Sequence, residues 1–490
     1  MKYIIITILS IVSFVLFGCT DFLDKDSLTN PSANTYWRTK GEAESALLGC
    51  YYKLREPILS GAKGQSGNSL YWDALSDNAL TTSNWEGFDV IMKGDFDASS
   101  TAGPITKMWK FCFQGIAQCN FFLKNVDKVP GLEKADYERM KGEALFLRAY
   151  YYNELAQLFG AVPLTLEMES LNSNYQSRPR TPKKEVVTQI LDDLDKAIEY
   201  LPNVSYTDGH AVRGSAIALK VRVLLNNDRY SEAAESAWTL IGASDNPFAL
   251  HNNYAGIFWG EQSNNKEIMF SVQFKAPDDY HSLDQVVGGR MAVFPTIELS
   301  NAYEANDPRK KMSIFEEGDT WAYSTDGKFG QANSFAEGQI PFVKMAIRKY
   351  VNTSINNASG ATTSDQHFVK IRYADLLLMF AEAMFESGQG SDERALKALN
   401  DVRQREGVMM PKKTELTREI IRNERRIELA FEGLRYSDLI RWKIADEVIP
   451  VIAYDAKGNK RKFKSYLFPV PLSEMDKMQG VWEQNEDYLK

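Results

Sequence analysis

The residues that could do chemistry come first. His210, His251, His281 and His367 are the four histidines in 490 residues, isolated along the chain and without the spacing of a metal-ligand set. No H-E-x-x-H, paired C-x-x-C, G-x-x-x-x-G-K-[ST] or G-x-S-x-G motif occurs. Adjacent carboxylates exist at Asp192-Asp193 and Asp278-Asp279. Glycoside hydrolysis, however, needs two carboxylates roughly 5–9.5 Å apart across a bond, which sequence adjacency does not deliver. We read Asp192-Asp193 as a solvated helix face. No catalytic residue, metal site or cofactor is expected.

Aromatic side chains are abundant instead: 26 Phe, 23 Tyr and 9 Trp. Trp72, Trp85, Trp259, Tyr280, Trp321 and Tyr323 lie among Gly, Ser, Asn and Asp rather than on apolar stripes. Trp85 follows Thr82-Ser83-Asn84, and Trp321 sits within Gly318-Asp319-Thr320-Trp321-Ala322-Tyr323. A pyranose packs its axial C–H face on an indole or phenol plane, while its hydroxyls need polar partners at the rim. The alternative is that each such ring is a loop anchor buried against helices.

Net charge is −8 with a pI near 5.4, which gives no electrostatic footprint for nucleic acid. At the N-terminus, Lys2 precedes an apolar run from Tyr3 to Phe17, too short to span a bilayer and shaped like a secretory signal. Leu16-Phe17-Gly18-Cys19 resembles a bacterial lipobox, with Cys19 as the lipidated first residue of the mature chain. Thr20, Asp21, Asp24 and Asp26 then resemble the segment that sends some lipoproteins to the outer face of the outer membrane. Cys50, Cys112 and Cys119 read as buried free thiols; Cys112 and Cys119 are two helical turns apart, too far for a bridge.

The elements that must position these residues are mostly helical. Glu143–Phe159 carries Ala144, Arg148, Tyr151, Leu155 and Leu158 at helical spacing. Thr181-Pro182 predicts an N-cap followed by the first helical residue, with the helix running to Leu201. Gly214–Asn227 and Ser231–Ile241 form a pair with Ala216, Ala218, Ala233, Ala234 and Ala237 in the seam, the unit of a tetratricopeptide-like stack. Arg372–Ser387 and Asp392–Arg405 form another pair, and Thr417–Glu432 and Ser437–Val448 follow. Between the halves, residues 246–368 are rich in Gly, Asn, Pro and aromatics, with short β-like runs at Ile268–Phe274 and Phe342–Arg348. Such a long irregular stretch on a rigid scaffold tends to carry function. A hairpin signal stands at Asp455–Asn459.

Several stretches together resemble the SusD/RagB family of outer-membrane lipoproteins. They are Arg372-Tyr373-Ala374-Asp375-Leu376-Leu377-Leu378 with Ala381-Glu382-Ala383, Leu399-Asn400-Asp401-Val402-Arg403, and Glu424-Arg425-Arg426-Ile427-Glu428-Leu429 with Glu432-Gly433-Leu434-Arg435. Asp438-Leu439-Ile440-Arg441-Trp442, Phe468-Pro469-Val470-Pro471 and Gln484-Asn485 belong to the same pattern. Upstream, Arg148-Ala149-Tyr150-Tyr151 and Phe159-Gly160-Ala161-Val162-Pro163-Leu164 extend it. Glu424, Arg425, Arg426, Glu428, Arg435, Asp438 and Arg441 recur at helical spacing and read as charge pairs fastening the C-terminal helices.

The resemblance implies a mainly α fold: an irregular tetratricopeptide-like helix-pair scaffold with long loops and minor β-structure. It divides the chain into a signal peptide at 1–18, a lipidated tether at 19–40 and one unit at 41–490. That unit has a helical half at 41–245, the aromatic-rich insert at 246–368 and a second helical half with tail at 369–490. It implies a non-enzymatic, cell-surface glycan-binding lipoprotein that hands oligomers to a SusC-like TonB-dependent transporter. The family's aromatic platform maps best onto Trp85, Tyr280 and Trp321, with Asn84 and Asp77 as polar partners. An oligopeptide ligand is the alternative within the family; a surface glycoside hydrolase and a purely structural helical scaffold are the alternatives outside it.

Overall fold

The computed structural model describes residues 36–60, 69–84, 87–99, 103–168, 175–258, 261–262, 265–283, 286–287, 291–320, 341–351, 364–478 and 480–489. The first helix, α1 (Lys40–Tyr52), opens on a capping box: Glu42 N donates to Thr39 Oγ1 at 3.2 Å, and Thr39 N donates to the Glu42 carboxylate at 2.9 Å. A short α2 (Phe88–Lys93) precedes the two longest helices, α3 (Gly103–Asn125) and α4 (Lys134–Phe159). These pack closely because α3 carries Gly115, where a Cβ would fall 2.4 Å from the Tyr151 ring of α4. Tyr151 in turn donates to Cys50 O at 2.8 Å and ties α1 to the same seam.

Helix α5 (Lys183–Tyr200) lies on α4, then α6 (Arg213–Leu225) on α5 and α7 (Tyr230–Ile241) on α6. The α6–α7 seam is built as its sequence predicts, with Ala216, Ala218, Ala233, Ala234 and Ala237 all buried. After α8 (Ile297–Ala302) and α9 (Pro308–Ser313), the second half begins with α10 (Tyr373–Met384), which packs directly on α7. Trp238 of α7 stacks on Phe380 of α10, with ring centres 5.4 Å apart. Then come α11 (Glu393–Gln404), α12 (Arg418–Glu428), α13 (Arg435–Arg441), α14 (Ala445–Val448) and α15 (Leu472–Lys477). A large apolar core runs from Trp37 to Tyr488, and a second, small cluster of Leu439, Ala445 and Ile449 lies under α13 and α14. The scaffold is a stack of helix pairs, with little β-structure.

The strands are β1 (Ala79–Thr81), β2 (Ile268–Val272), β3 (Val293–Pro295), β4 (Ile314–Glu316), β5 (Met345–Ile347) and β6 (Phe368–Arg372). They pair antiparallel as β1–β3, β2–β6 and β4–β5.

Three expectations need correcting. Thr181 is not the N-cap of α5: Pro182 takes that place, while Thr181 bridges to Val162 and accepts Leu164 N on its hydroxyl at 3.3 Å. The helix expected over Ser437–Val448 is two helices, broken at Lys443, whose φ is 55°. Asp192 is exposed as expected, but Asp193 is buried and takes both forks of Arg148 at 2.7 Å. The three cysteines at 50, 112 and 119 are free and buried, as expected.

The C-terminal charge motif is an interior lattice. Glu428 receives Arg309, Arg372 and Arg405; Arg372 also holds Glu267 and Glu432, and Arg403 holds Glu424. Arg425 bridges Asp375 and Asp438, and Arg441 joins Asp438 to Glu382. Burial alone would raise the Glu428 carboxyl, yet three guanidinium groups hold it far below the usual carboxylate range. Asp375 is likewise pulled down to about 2, against burial, by Arg222 and Arg425.

Candidate ligand-binding surface

Antiparallel pairing sets the end of one strand beside the start of its partner. Thr81, the last residue of β1, faces Val293, the first of β3; Glu316, the last of β4, faces Met345, the first of β5. β3 and β5 are in contact, and Phe294 of β3 meets Phe342, just before β5, edge-on at 6.2 Å. The segment leaving β1, the segment entering β3 and both ends of the β4–β5 connection therefore emerge together. Trp85 belongs by sequence to the first of these and Trp321 to the last; both lie outside the described residues.

The exit from β1 is built by Thr81. Its hydroxyl donates to Ala292 O at 2.7 Å and accepts Ser83 N at 3.1 Å, which joins the outgoing β1 segment to the incoming β3 segment. Asn84 is exposed at the end of this segment, and its carbonyl accepts Gly87 N at 3.2 Å. Gly87, with φ 82°, then caps α2.

Tyr280 is half-buried on a different ladder's end. It sits between Asp279, bridged to Lys275 and ion-paired with Arg55, and His281, bridged to Ser364. Arg55 also lies over the Phe274 ring at 4.5 Å. His281 packs between Phe274 and Phe368, donates from Nε2 to Gln366 O at 2.7 Å and accepts Leu283 N at Nδ1. Burial in that aromatic slot drives its pKa down to about 4. The turn carrying Tyr280 thus stands on a neutral, fully bonded imidazole.

Asp77 is not a polar partner for ligand. It is 2% exposed at the opposite end of β1 from Asn84, with Arg435 at 2.7 and 3.0 Å and Arg426 at 3.0 Å. Burial raises its carboxyl and the two arginines outweigh that, holding it below the usual range. Its role is to fasten β1 to α12 and α13. Trp72 is also a loop anchor: it is buried, donates to Ile58 O at 3.1 Å and meets Phe88 edge-on. Trp259 and Tyr323 lie outside the described residues.

Sequence reading missed one aromatic groove. Trp109, Phe113 and Trp482 line it, with Arg178, Glu474 and Lys477 at its rim, around about 370 Å³. Trp109 is 4% exposed and Trp482 8%, so neither turns a ring face outward to cover a sugar. The strand ends remain the better candidate surface.

Two family models match this chain: one described as the SusD family over residues 296–488, and one described as starch-binding associating with outer membrane over residues 21–225. The chain belongs to the SusD/RagB family. SusD-like protein P2 of Formosa agariphila is 25% identical over 519 residues, covering 99% of this chain and 100% of that protein. A solved SusD-like protein from Bacteroides fragilis NCTC 9343 is 26% identical, with a TM-score of 0.78 over 93% of this chain and 98% of that one. A SusD-like carbohydrate binding protein from the same strain is 25% identical, with a TM-score of 0.77 over 91% and 99%. This SusD-like chain thus has the tetratricopeptide-like helical fold of its relatives. Its family is one of carbohydrate-binding proteins, and one matching model describes association with the outer membrane.

Proposed function

We propose that this SusD-like chain is a non-catalytic, cell-surface receptor for an oligosaccharide. Lipid on Cys19 holds it to the outer membrane, after removal of residues 1–18, and it delivers ligand to a SusC-like TonB-dependent transporter. The observation that carries this reading is the convergence of strand ends. The two connections that bear Trp85 and Trp321 leave the scaffold at one place, beside an exposed Asn84. Tyr280, on its braced turn, is the third ring of the proposed platform. Rings on loops of a rigid scaffold suit sugar recognition: aromatic faces supply apolar area and amide groups supply the rim bonds.

The reading is tested by calorimetric titration of the purified chain with a panel of neutral oligosaccharides, each recovered afterwards and checked by chromatography. Saturable binding of at least one, recovered intact, is expected. Cleavage of the sugar, or binding to oligopeptides alone, would contradict it.

A further inference from the structure

Away from the strand ends, one face of α12 carries a row of arginines. Arg418, Arg422 and Arg426 recur every four residues, so they share one helix face, and Arg435 of α13 joins them. Together with Glu419, Asn423, Trp442 and Ile444 they line an open pocket of about 400 Å³. Three of the four guanidinium groups spend one edge on carboxylates: Arg418 on Glu386, Arg426 and Arg435 on Asp77. Arg422 spends none. Among the described residues it makes no hydrogen bond or ion pair, and its buried Nε has no partner.

Arg422 is held by a ring instead. Its guanidinium carbon lies 4.7 Å from the centre of Trp442, which Arg441 approaches to the same distance and Arg435 to 5.5 Å. The Trp442 Nε1–H is fixed on Glu382 at 2.6 Å. A guanidinium with an orphaned buried donor, crowded by others of its own charge, is costly. Burial lowers its pKa; Glu382 and Glu386 oppose that, while Arg418 and Arg441 lower it further. One carboxylate, the exposed Glu419, stands at the rim. A planar fork of donors fixed in place is the arrangement that binds oxyanions in two-pronged fashion.

We propose that this pocket is an oxyanion site, taking a sulfate- or carboxylate-sized group on the free fork of Arg422 with Arg418, Arg426 and Arg435 around it. The oxyanion comes either free from solution or as the acidic substituent of a saccharide. The site adjoins Asp77, at the opposite end of β1 from Asn84, so it is separate from the platform proposed above.

Calorimetry distinguishes binding from the general stabilisation that excluded sulfate gives any protein. Inorganic sulfate is titrated into the purified full-length chain at ionic strength held constant with sodium chloride. A sulfated oligosaccharide and its unsulfated counterpart form the second arm. One saturable site is expected, weakened at least tenfold in Arg422→Gln and less in Arg422→Lys. Both variants should melt within a few degrees of wild type, because Arg422 loses only its contact with the Trp442 ring and no ion pair. A sulfated chain that binds at least tenfold tighter than sulfate identifies the saccharide as the source; equal affinities identify the free anion. Lack of saturable binding in both arms, or affinity unchanged in Arg422→Gln, overturns the proposal. Binding of neutral oligosaccharides should be the same in wild type and Arg422→Gln, so failure here leaves the glycan platform standing.

Discussion

Glu428→Gln is the sharpest test of what holds the second half of the molecule together. Glu428 is fully buried, and its two oxygens receive Arg309 at 2.8 Å, Arg372 at 2.7 Å and Arg405. Glutamine keeps one acceptor oxygen and turns an NH2 group toward guanidinium donors, leaving three buried cations with one carboxylate fewer. Removing one partner of a buried ion pair costs about 3–5 kcal/mol. At ~2.1 cal/mol/K per residue, the unfolding entropy of 490 residues sums to ~1 kcal/mol/K. The melting temperature should therefore fall by ~3–5 °C, read by calorimetry or far-ultraviolet circular dichroism near pH 7. The sign of the pH dependence follows from the depressed carboxyl. Its stabilisation is full above the unfolded value of about 4 and is lost as pH falls through the folded value, so the gap between wild type and variant should narrow in acid. A variant that melts within ~1 °C of wild type at pH 7 would refute the lattice as the fastening of α12.

His281 supplies a second acid-sensitive element. Its folded pKa of about 4 lies below its ordinary 6.5, so the unfolded chain takes a proton first and stability should decline by up to ~3 kcal/mol between pH 6.5 and 4. Denaturation series across that range should lose most of this slope in His281→Gln; an unaltered slope counts against the assignment. Gly115→Ala forces a Cβ to 2.4 Å from the Tyr151 ring and should cost about 1–3 kcal/mol, whereas an unchanged melting temperature would mean the α3–α4 seam yields freely. Cys19→Ala should release the protein from membranes on fractionation, and full retention in the membrane fraction would sink the proposed anchor.

Much of the scaffold is legible in sequence because helix pairs announce themselves locally. The alanines of α6 and α7 mark a close seam, and α11 and α12 begin one residue after Asp392 and Thr417, where the expected helices start. Asp193 was illegible for the opposite reason: its partner Arg148 lies 45 residues away, and nothing near either residue says that they meet. Asp77 was misread similarly, since a polar residue near a loop looks solvent-facing until Arg426 and Arg435 arrive from about 350 positions downstream. Trp72 shares its polar sequence context with Trp85, and only the packing of Phe88 and Ile58 around it identifies an anchor. The i, i+4, i+8 spacing of Arg418, Arg422 and Arg426 was visible. That Arg422 lacks a carboxylate was not, because pairing is a property of the assembled helices.

The account's central claim is that rings at the strand ends cover a sugar face. Calorimetric titration of a bound oligosaccharide into wild type, Trp85→Ala, Trp321→Ala and Trp72→Ala, each with its melting curve, tests it most directly. Losing a stacked ring removes roughly 1–3 kcal/mol of apolar burial at ~25 cal/mol per Å², a fall of about ten- to a hundredfold in affinity. Trp85→Ala and Trp321→Ala should show that fall with melting temperatures near wild type. Trp72→Ala should instead melt several degrees lower, because truncating a buried Trp typically costs about 3–5 kcal/mol of stability. Wild-type affinity in both Trp85→Ala and Trp321→Ala, or early melting of both, would contradict the claim.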